Sequence, residues 1–370
     1  MTDPEQLRQH FPVLATRAYL NAGSEGPVPQ AAADAVQQRL DEDLALGRTG
    51  SAYIATVLDL AARARAGYAE ALGAEPAEVA LTSSTTFGVN TVVQGLQLGQ
   101  GDEVITSDQE HPGVYAPLRL AKVRNGVKVK VVPFAELPGE VGPNTKLIAC
   151  SHVSWVGGEV ADVAALTATG VPLLLDAAQA LGAIPVDVHA LGVDYYAGSG
   201  QKWLCGPEGS GALYVKPSRL AELEPPMPAY GTVDDHNDAL NAELAEGAGR
   251  FDDGFPTAIR SAWALASLGV LSGAGWAWVH ERAAELAAGL ASQLQECGLE
   301  LAPRGRSTLV SWKSDDADRD VARLAQAGLV VRSIPSAGLV RASVGAWSSE
   351  DELQQLVEAV IEDRFGTRGP

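Results

Sequence analysis

The sequence predicts an α/β protein: a large domain built on a mainly parallel sheet flanked by helices, then a small α+β domain. Three observations carry that reading. Between residues 78 and 215 short β-rich runs alternate with helical stretches, as in a parallel sheet with crossovers. Several of these strands end in clusters of small or polar residues, where open α/β sheets bind ligands. After an irregular stretch at 218–256 the pattern restarts on a smaller scale.

Residues 1–18 read as an N-terminal arm, 19–256 as the large domain and 257–370 as the small one. At 28–48 and 55–73 apolar residues recur three and four apart, predicting two helices. Strands follow at 78–82 (EVALT), 102–108 (DEVITSD), 127–134 (VKVKVVPF) and 146–155 (KLIACSHVSW). Three more lie at 172–179 (PLLLDAAQ), 193–201 (VDYYAGSGQ) and 211–215 (GALYV), and helices at 86–97 and 112–126 sit among the earlier ones. Residues 218–256, rich in Pro, Gly and acid, read as a long functional or interfacial connection with one short helix. One long helix is expected from Thr257 to about Glu296. Then come strand 307–313, a helix near 316–327, strands 329–334 and 338–345, and a helix after Ser348.

Composition narrows the function. With 27 Lys and Arg against 46 Asp and Glu, the net charge of −19 repels phosphate backbones and anionic lipid. No nucleic-acid or membrane partner is expected. Cys150, Cys205 and Cys297 form no CxxC pair, so no disulfide framework or metal site is expected and a reducing compartment is. MTDPEQLRQHFP lacks a basic run followed by an apolar one, and the expected location is cytoplasmic. Ser261 to Val279 is uncharged over about a bilayer's span, but its Ser and Gly content and its amphipathic continuation favour a buried helix over a membrane segment.

Four features follow one another along the large domain. LTSSTTFGVN puts Thr85 and Thr86 where a strand gives way to a helix; such N–H groups and hydroxyls suit a phosphate or an ordinary cap. SDQEHPGV places His111 before a helix opened by Pro112, as a cap or as an imidazole stacked on a planar ligand. In LLLDAAQA, Asp176 closes an apolar strand, with Gln179 three residues on. A carboxylate there is a helix cap or the partner of a buried cation such as a protonated ring nitrogen. In YYAGSGQKWLCGPEGSGALYV, Lys202 lies between two apolar strands, beside Ser199 and a Gly-Pro-x-Gly turn. Exposed, it is a loop lysine; buried, its amine loses its proton readily and becomes a nucleophile.

Together the four select among these readings. A lysine amine, an aspartate for a pyridinium nitrogen, a phosphate cup and a stacking histidine are what pyridoxal 5'-phosphate requires. Here the sequence resembles the pyridoxal-phosphate-dependent class V aminotransferase and cysteine desulfurase family, of fold type I, from YLNAGSEGPVP at Tyr19 nearly to the end. EHPG, SHVSWVGGEV, VDYYAGSGQKW and VRAS make it most similar to the cysteine/cystine C–S lyase branch. The resemblance implies that Lys202 carries the cofactor and is the catalytic base, that Asp176 pairs with the ring nitrogen, that Gln179 meets the ring hydroxyl and that His111 stacks on the ring. It implies a phosphate held by Thr85, Thr86, Ser199 and Gln201, with Thr257 as a candidate contact across a homodimer with shared active sites. Arg341 then binds the carboxylate of an amino-acid substrate, with Asn21, Gly23 and Trp155 around it.

The chain departs from the family pattern at three places. Gln201 stands where the family has His, Phe255 stands where it has the cross-subunit Thr (Thr257 lies two residues on), and Trp155 replaces the Asn of desulfurases. A desulfurase also needs a cysteine thiolate on the loop before the carboxylate-binding arginine, and SIPSAGLV between Arg332 and Arg341 contains none. A β-eliminating lyase needs only Lys202 as base, and yields a thiol or persulfide, pyruvate and ammonia from cysteine, cystine or a cysteine S-conjugate. The alternatives are an aminotransferase or epimerase of the same family and, outside enzymes, a scaffold or interaction protein that keeps the fold.

Overall fold

The computed structural model describes residues 3–365. The chain runs α1 (Pro4–Gln9), β1 (Ala18–Tyr19), α2 (Gln30–Leu46), α3 (Gly50–Leu72), β2 (Val79–Thr82), α4 (Thr85–Gly95), β3 (Glu103–Ser107), α5 (Pro112–Asn125) and β4 (Lys128–Val132). It continues through β5 (Thr145–Ser151), α6 (Val163–Ala168), β6 (Leu173–Asp176), α7 (Val188–Leu191), β7 (Tyr195–Ser199) and β8 (Gly211–Val215). Last come α8 (Ala258–Ala274), α9 (Trp276–Glu296), β9 (Leu309–Lys313), α10 (Ala317–Gln326), β10 (Leu329–Val330), β11 (Arg332–Ile334), β12 (Leu339–Ser343) and α11 (Glu350–Phe365).

Seven strands form one sheet in the order β2-β8-β7-β6-β5-β3-β4, in which only β8 runs against its neighbours. Its central strands are apolar throughout because both faces are covered. Leu173, Leu175, Cys150 and Tyr196 enter the core on one face. Their alternates Leu174, Ala149 and Tyr195 enter the core on the other, as the two-residue period of a strand demands. A second core joins β9, β12, α9 and α11 through Val310, Val340, Ala342, Leu290 and Leu356.

Two expectations change. The long helix of residues 257–296 is two helices bent by 79° at Gly275, whose φ of 90° and ψ of 116° break the helical path. Helix α8 packs on α2 and α3, and its Ala264, Leu268 and Leu271 belong to the large-sheet core rather than to the small domain. Among the described residues no single helix is long and apolar enough to cross a membrane; only α8 and α9 together, across their bend, reach that length. At the other end, β1 pairs in parallel with β10, and Ala18 and Leu20 lie in the second core. The chain therefore touches the small sheet before it enters the large one. The 218–256 connection contains 3₁₀ turns, and its Asp252 is pinned by a two-pronged bond from Arg65 (2.9 and 2.6 Å) and by Leu81 N–H (2.8 Å).

Candidate active site

The carboxyl ends of β3, β5, β6 and β7 meet at one edge of the sheet and deliver Ser107, Ser151, Asp176 and Ser199 there. Helix α4 begins at the same edge. Its Ser84 cap accepts from Phe87 N–H (3.1 Å), which leaves the first N–H groups of the helix directed outward. Gly88 lets α4 lie on β7, since a Cβ there would stand 2.8 Å from that of Ala197. That close approach brings the hydroxyls of Thr85 and Ser199 to 2.6 Å of each other. Thr86 follows in the first turn, and Gln201 Oε1, beyond Ser199, is buried with no hydrogen-bond partner among the described residues.

Asp176 is buried, and its Oδ1 accepts from Ala178 N–H (2.8 Å). No cationic side chain lies within ion-pair distance of it among the described residues, and burial raises its pKa against the pull of Lys202. Burial lowers the Lys202 amine to about 8, helped by Arg341 and Arg332 and opposed by Asp176 and Glu25. Gln179 is engaged at both ends, donating to Gly23 O (2.8 Å) and accepting from Trp203 Nε1 (3.1 Å). Glu110, a buried carboxyl not singled out in the sequence, ties the ends of two strands together. It accepts from Ser107 Oγ, from Ser151 N–H (3.0 Å) and from Ser151 Oγ (2.6 Å). Desolvation outweighs these bonds and raises it to about 7, with the Asp176 charge adding to the rise.

His111 caps α5, its Nδ1 accepting from Gly113 N–H (3.0 Å). The residue keeps some exposure, but desolvation, then Lys202, Arg332 and Arg341, lowers it to about 4, so the imidazole is neutral. It meets Trp155 edge-on at 5.3 Å, and the Arg332 guanidinium lies over the Trp155 ring at 5.9 Å.

The small sheet supplies the opposite wall. Val340 and Ala342 face the second core, so the alternating Arg341 and Ser343 face the cleft. Arg341 is fully buried. Its Nη1 donates to Trp155 O (2.6 Å), while Nε and Nη2, the Ser343 hydroxyl and Trp155 Nε1 are buried with no partner among the described residues. Burial, then Arg332, lowers the Arg341 pKa to about 9. Gly23 sits among these groups: a Cβ there would stand 2.7 Å from Ser343 Oγ and 2.8 Å from both Arg341 Nη2 and Gln179 Oε1. Asn21 bridges Ser343 and accepts from Ser24 Oγ (2.8 Å), and Ser24 Oγ accepts from Arg332 Nη1 (3.0 Å).

The structure thus gathers Asn21, Gly23, Thr85, Thr86, His111, Trp155, Asp176, Gln179, Ser199, Gln201, Lys202 and Arg341 around one cleft. Thr257 stands apart, exposed at the start of α8, and no hydrogen bond or ring contact joins it to the group. Arg332, Ser343 and Glu110 were missed. Arg332 is brought opposite Arg341 by the β11–β12 register, and only the two-residue spacing from Arg341 could have flagged Ser343.

These residues fit pyridoxal phosphate. The buried Asp176, with no cation at ion-pair distance among the described residues, suits a protonated ring nitrogen, the buried Lys202 amine suits an aldehyde, and the paired hydroxyls at the α4 N-terminus suit a phosphate. A probable cysteine desulfurase of Methanothermobacter thermautotrophicus is 29% identical, over 97% of each chain. The isopenicillin N epimerase of Streptomyces clavuligerus is 33% identical over 61% of this chain and 60% of its own. Two solved structures of the cystine C–S lyase C-DES superpose with TM-scores of 0.91 and 0.90 at 27% identity. The first, with glycine covalently linked to its PLP cofactor, covers 96% of this chain and 99% of its own; the second, with the product cysteine persulfide, covers 95% and 99%. The Aminotransferase class-V family description matches residues 18–356. The chain belongs to the class-V aminotransferase family, whose members are pyridoxal-phosphate enzymes.

Proposed function

We propose that the protein is a β-eliminating carbon–sulfur lyase acting on cystine or a related cysteine S-conjugate, with a thiol or persulfide, pyruvate and ammonia as products. The observation that carries this reading is where its three thiols lie. Cys150 and Cys205 are buried, and their burial raises both thiols well above the ordinary range. Cys297 caps the far end of α9, and the β11–β12 connection has no cysteine. Neither buried thiol is suited to take sulfur from a substrate, which favours release of the sulfur by elimination.

When bound, pyridoxal phosphate supplies an electron sink for the charge that develops on Cα. The chain does the rest. Asp176 keeps a proton on the ring nitrogen by offering it a buried counter-charge. Neutral His111 provides a flat, uncharged face. Lys202, its amine lowered to about 8, is free to accept the Cα proton at mildly alkaline pH. Arg341, with Ser343 and Trp155 Nε1 beside it, grips the α-carboxylate and so orients the Cα–H bond toward the lysine. Arg332 supports a substrate with a second carboxylate: it lies opposite Arg341 on the neighbouring strand, and cystine carries a carboxylate at each end.

The test is the product balance of the purified holoenzyme with L-cystine and no keto acid. One pyruvate and one ammonia per cystine consumed supports elimination. Alanine in place of pyruvate, or turnover that requires a keto-acid acceptor, overturns it in favour of a desulfurase or an aminotransferase.

A further inference from the structure

One face of helix α8 is committed to the turn that bears the lysine. Arg260, Trp263 and Ser267 follow at three- and four-residue spacing, which places them on one side of the helix. Arg260 Nη1 donates to Gly209 O (3.1 Å), Trp263 Nε1 to Cys205 O (3.2 Å) and Ser267 Oγ to that same carbonyl (2.7 Å).

Cys205 is where the turn is strained. Its φ of 55° is left-handed, a conformation that residues with a side chain hold only when their surroundings impose it. Cys205 N–H closes the turn on Lys202 O (3.0 Å), and Gly206 N–H fastens it to Gly200 O (2.8 Å) at the end of β7. The thiol is buried and held protonated, so what Cys205 contributes is its backbone. The depth at which the Lys202 amine sits, and its separation from Asp176 and Arg341, govern how readily it gives up a proton. The geometry of this turn sets both.

We propose that Trp263 and Ser267 are positioning residues for Lys202: by gripping the Cys205 carbonyl they hold the left-handed turn that presents the lysine to the cleft. The proposal rests on Lys202 being the cofactor lysine. A glycine at position 205 adopts the same backbone without strain, and so needs the grip less.

The experiment uses holoenzyme of the parent, S267A, W263F, C205G and the S267A/C205G double variant. The readouts are the pH titration of the lysine-bound cofactor absorbance and the thermal unfolding midpoint. S267A and W263F are expected to shift the proton dissociation constant by about threefold or more, while S267A shifts it far less in the C205G background. An unshifted titration in S267A and W263F, with or without a lower unfolding midpoint, overturns the proposal, and so does an equal shift in both backgrounds. Borohydride reduction followed by peptide mapping separates the premise: a cofactor fixed to a peptide other than that of Lys202 refutes the lysine assignment itself.

Discussion

The two walls of the cleft are built on different terms. On the large-sheet side most polar groups already have partners: Thr85 with Ser199, Gln179 with Gly23 and Trp203, and Glu110 with Ser107 and Ser151. Gln201 Oε1 is one exception among the described residues. On the small-sheet side, Arg341 and Ser343 bury three polar atoms, joined by Trp155 Nε1 from the segment after β5, and none of the four has a partner among the described residues. Burying such groups is costly unless something meets them. The first wall is a finished socket, suited to a group held through many turnovers. The second suits a ligand that brings acceptor oxygens, as a carboxylate does.

Substitutions on either side can break this contrast. Lys202→Ala should abolish the lysine-bound absorbance and reduce turnover on the order of 10⁴-fold or more, because it removes the base together with the covalent anchor. A variant that keeps the parent spectrum contradicts the lysine assignment. Arg341→Ala should leave that spectrum intact yet weaken α-carboxylate substrates by about 30- to several-thousand-fold, from the roughly 2–5 kcal/mol that a desolvated arginine–carboxylate pair commands. Arg332→Ala sharpens the reading of the second wall. It should lower kcat/KM for cystine by about 10- to 100-fold and hardly affect an S-alkyl cysteine with a single carboxylate. Equal losses on both substrates would assign Arg332 to the shared α-carboxylate instead.

The smallest effect tests the finished wall. Folded Glu110 holds its proton up to about pH 7, whereas the unfolded chain releases it near the ordinary carboxyl value of 4.5. Its contribution to stability is therefore complete below that lower value and is lost as pH rises through about 7, on the order of 3 kcal/mol. Glu110→Gln lacks this titration. The unfolding free energy of the variant relative to the parent should improve by a similar amount between about pH 4.5 and pH 8. A difference that stays flat with pH would mean that Glu110 ionises freely in the folded protein.

What the sequence reveals follows the range over which each interaction acts. The sheet, its strand ends and the groups on them are local: LLLDAAQA and GSGQKW carry strand, turn and functional group within a few residues. Arg341 is legible because Val340 and Ala342 flank it in strict alternation. Arg332 is not, since its place beside Arg341 depends on strand register, and Glu110 depends on two serines from separate strands meeting at one edge. Helix α8 was assigned to the wrong core for a related reason. Apolar periodicity reports that a helix has a buried face, whereas the bend at Gly275 decides what that face meets.

The most direct measurement compares cystine with cystamine, the same disulfide without its carboxylates, by spectral titration of parent and Arg341→Ala holoenzymes. If the small-sheet wall exists to receive a carboxylate, cystine should perturb the cofactor absorbance of the parent at low concentration and require at least about 30-fold more in the variant. Cystamine should bind both alike. Cystine binding that survives the substitution, or cystamine binding that falls with it, would contradict the account.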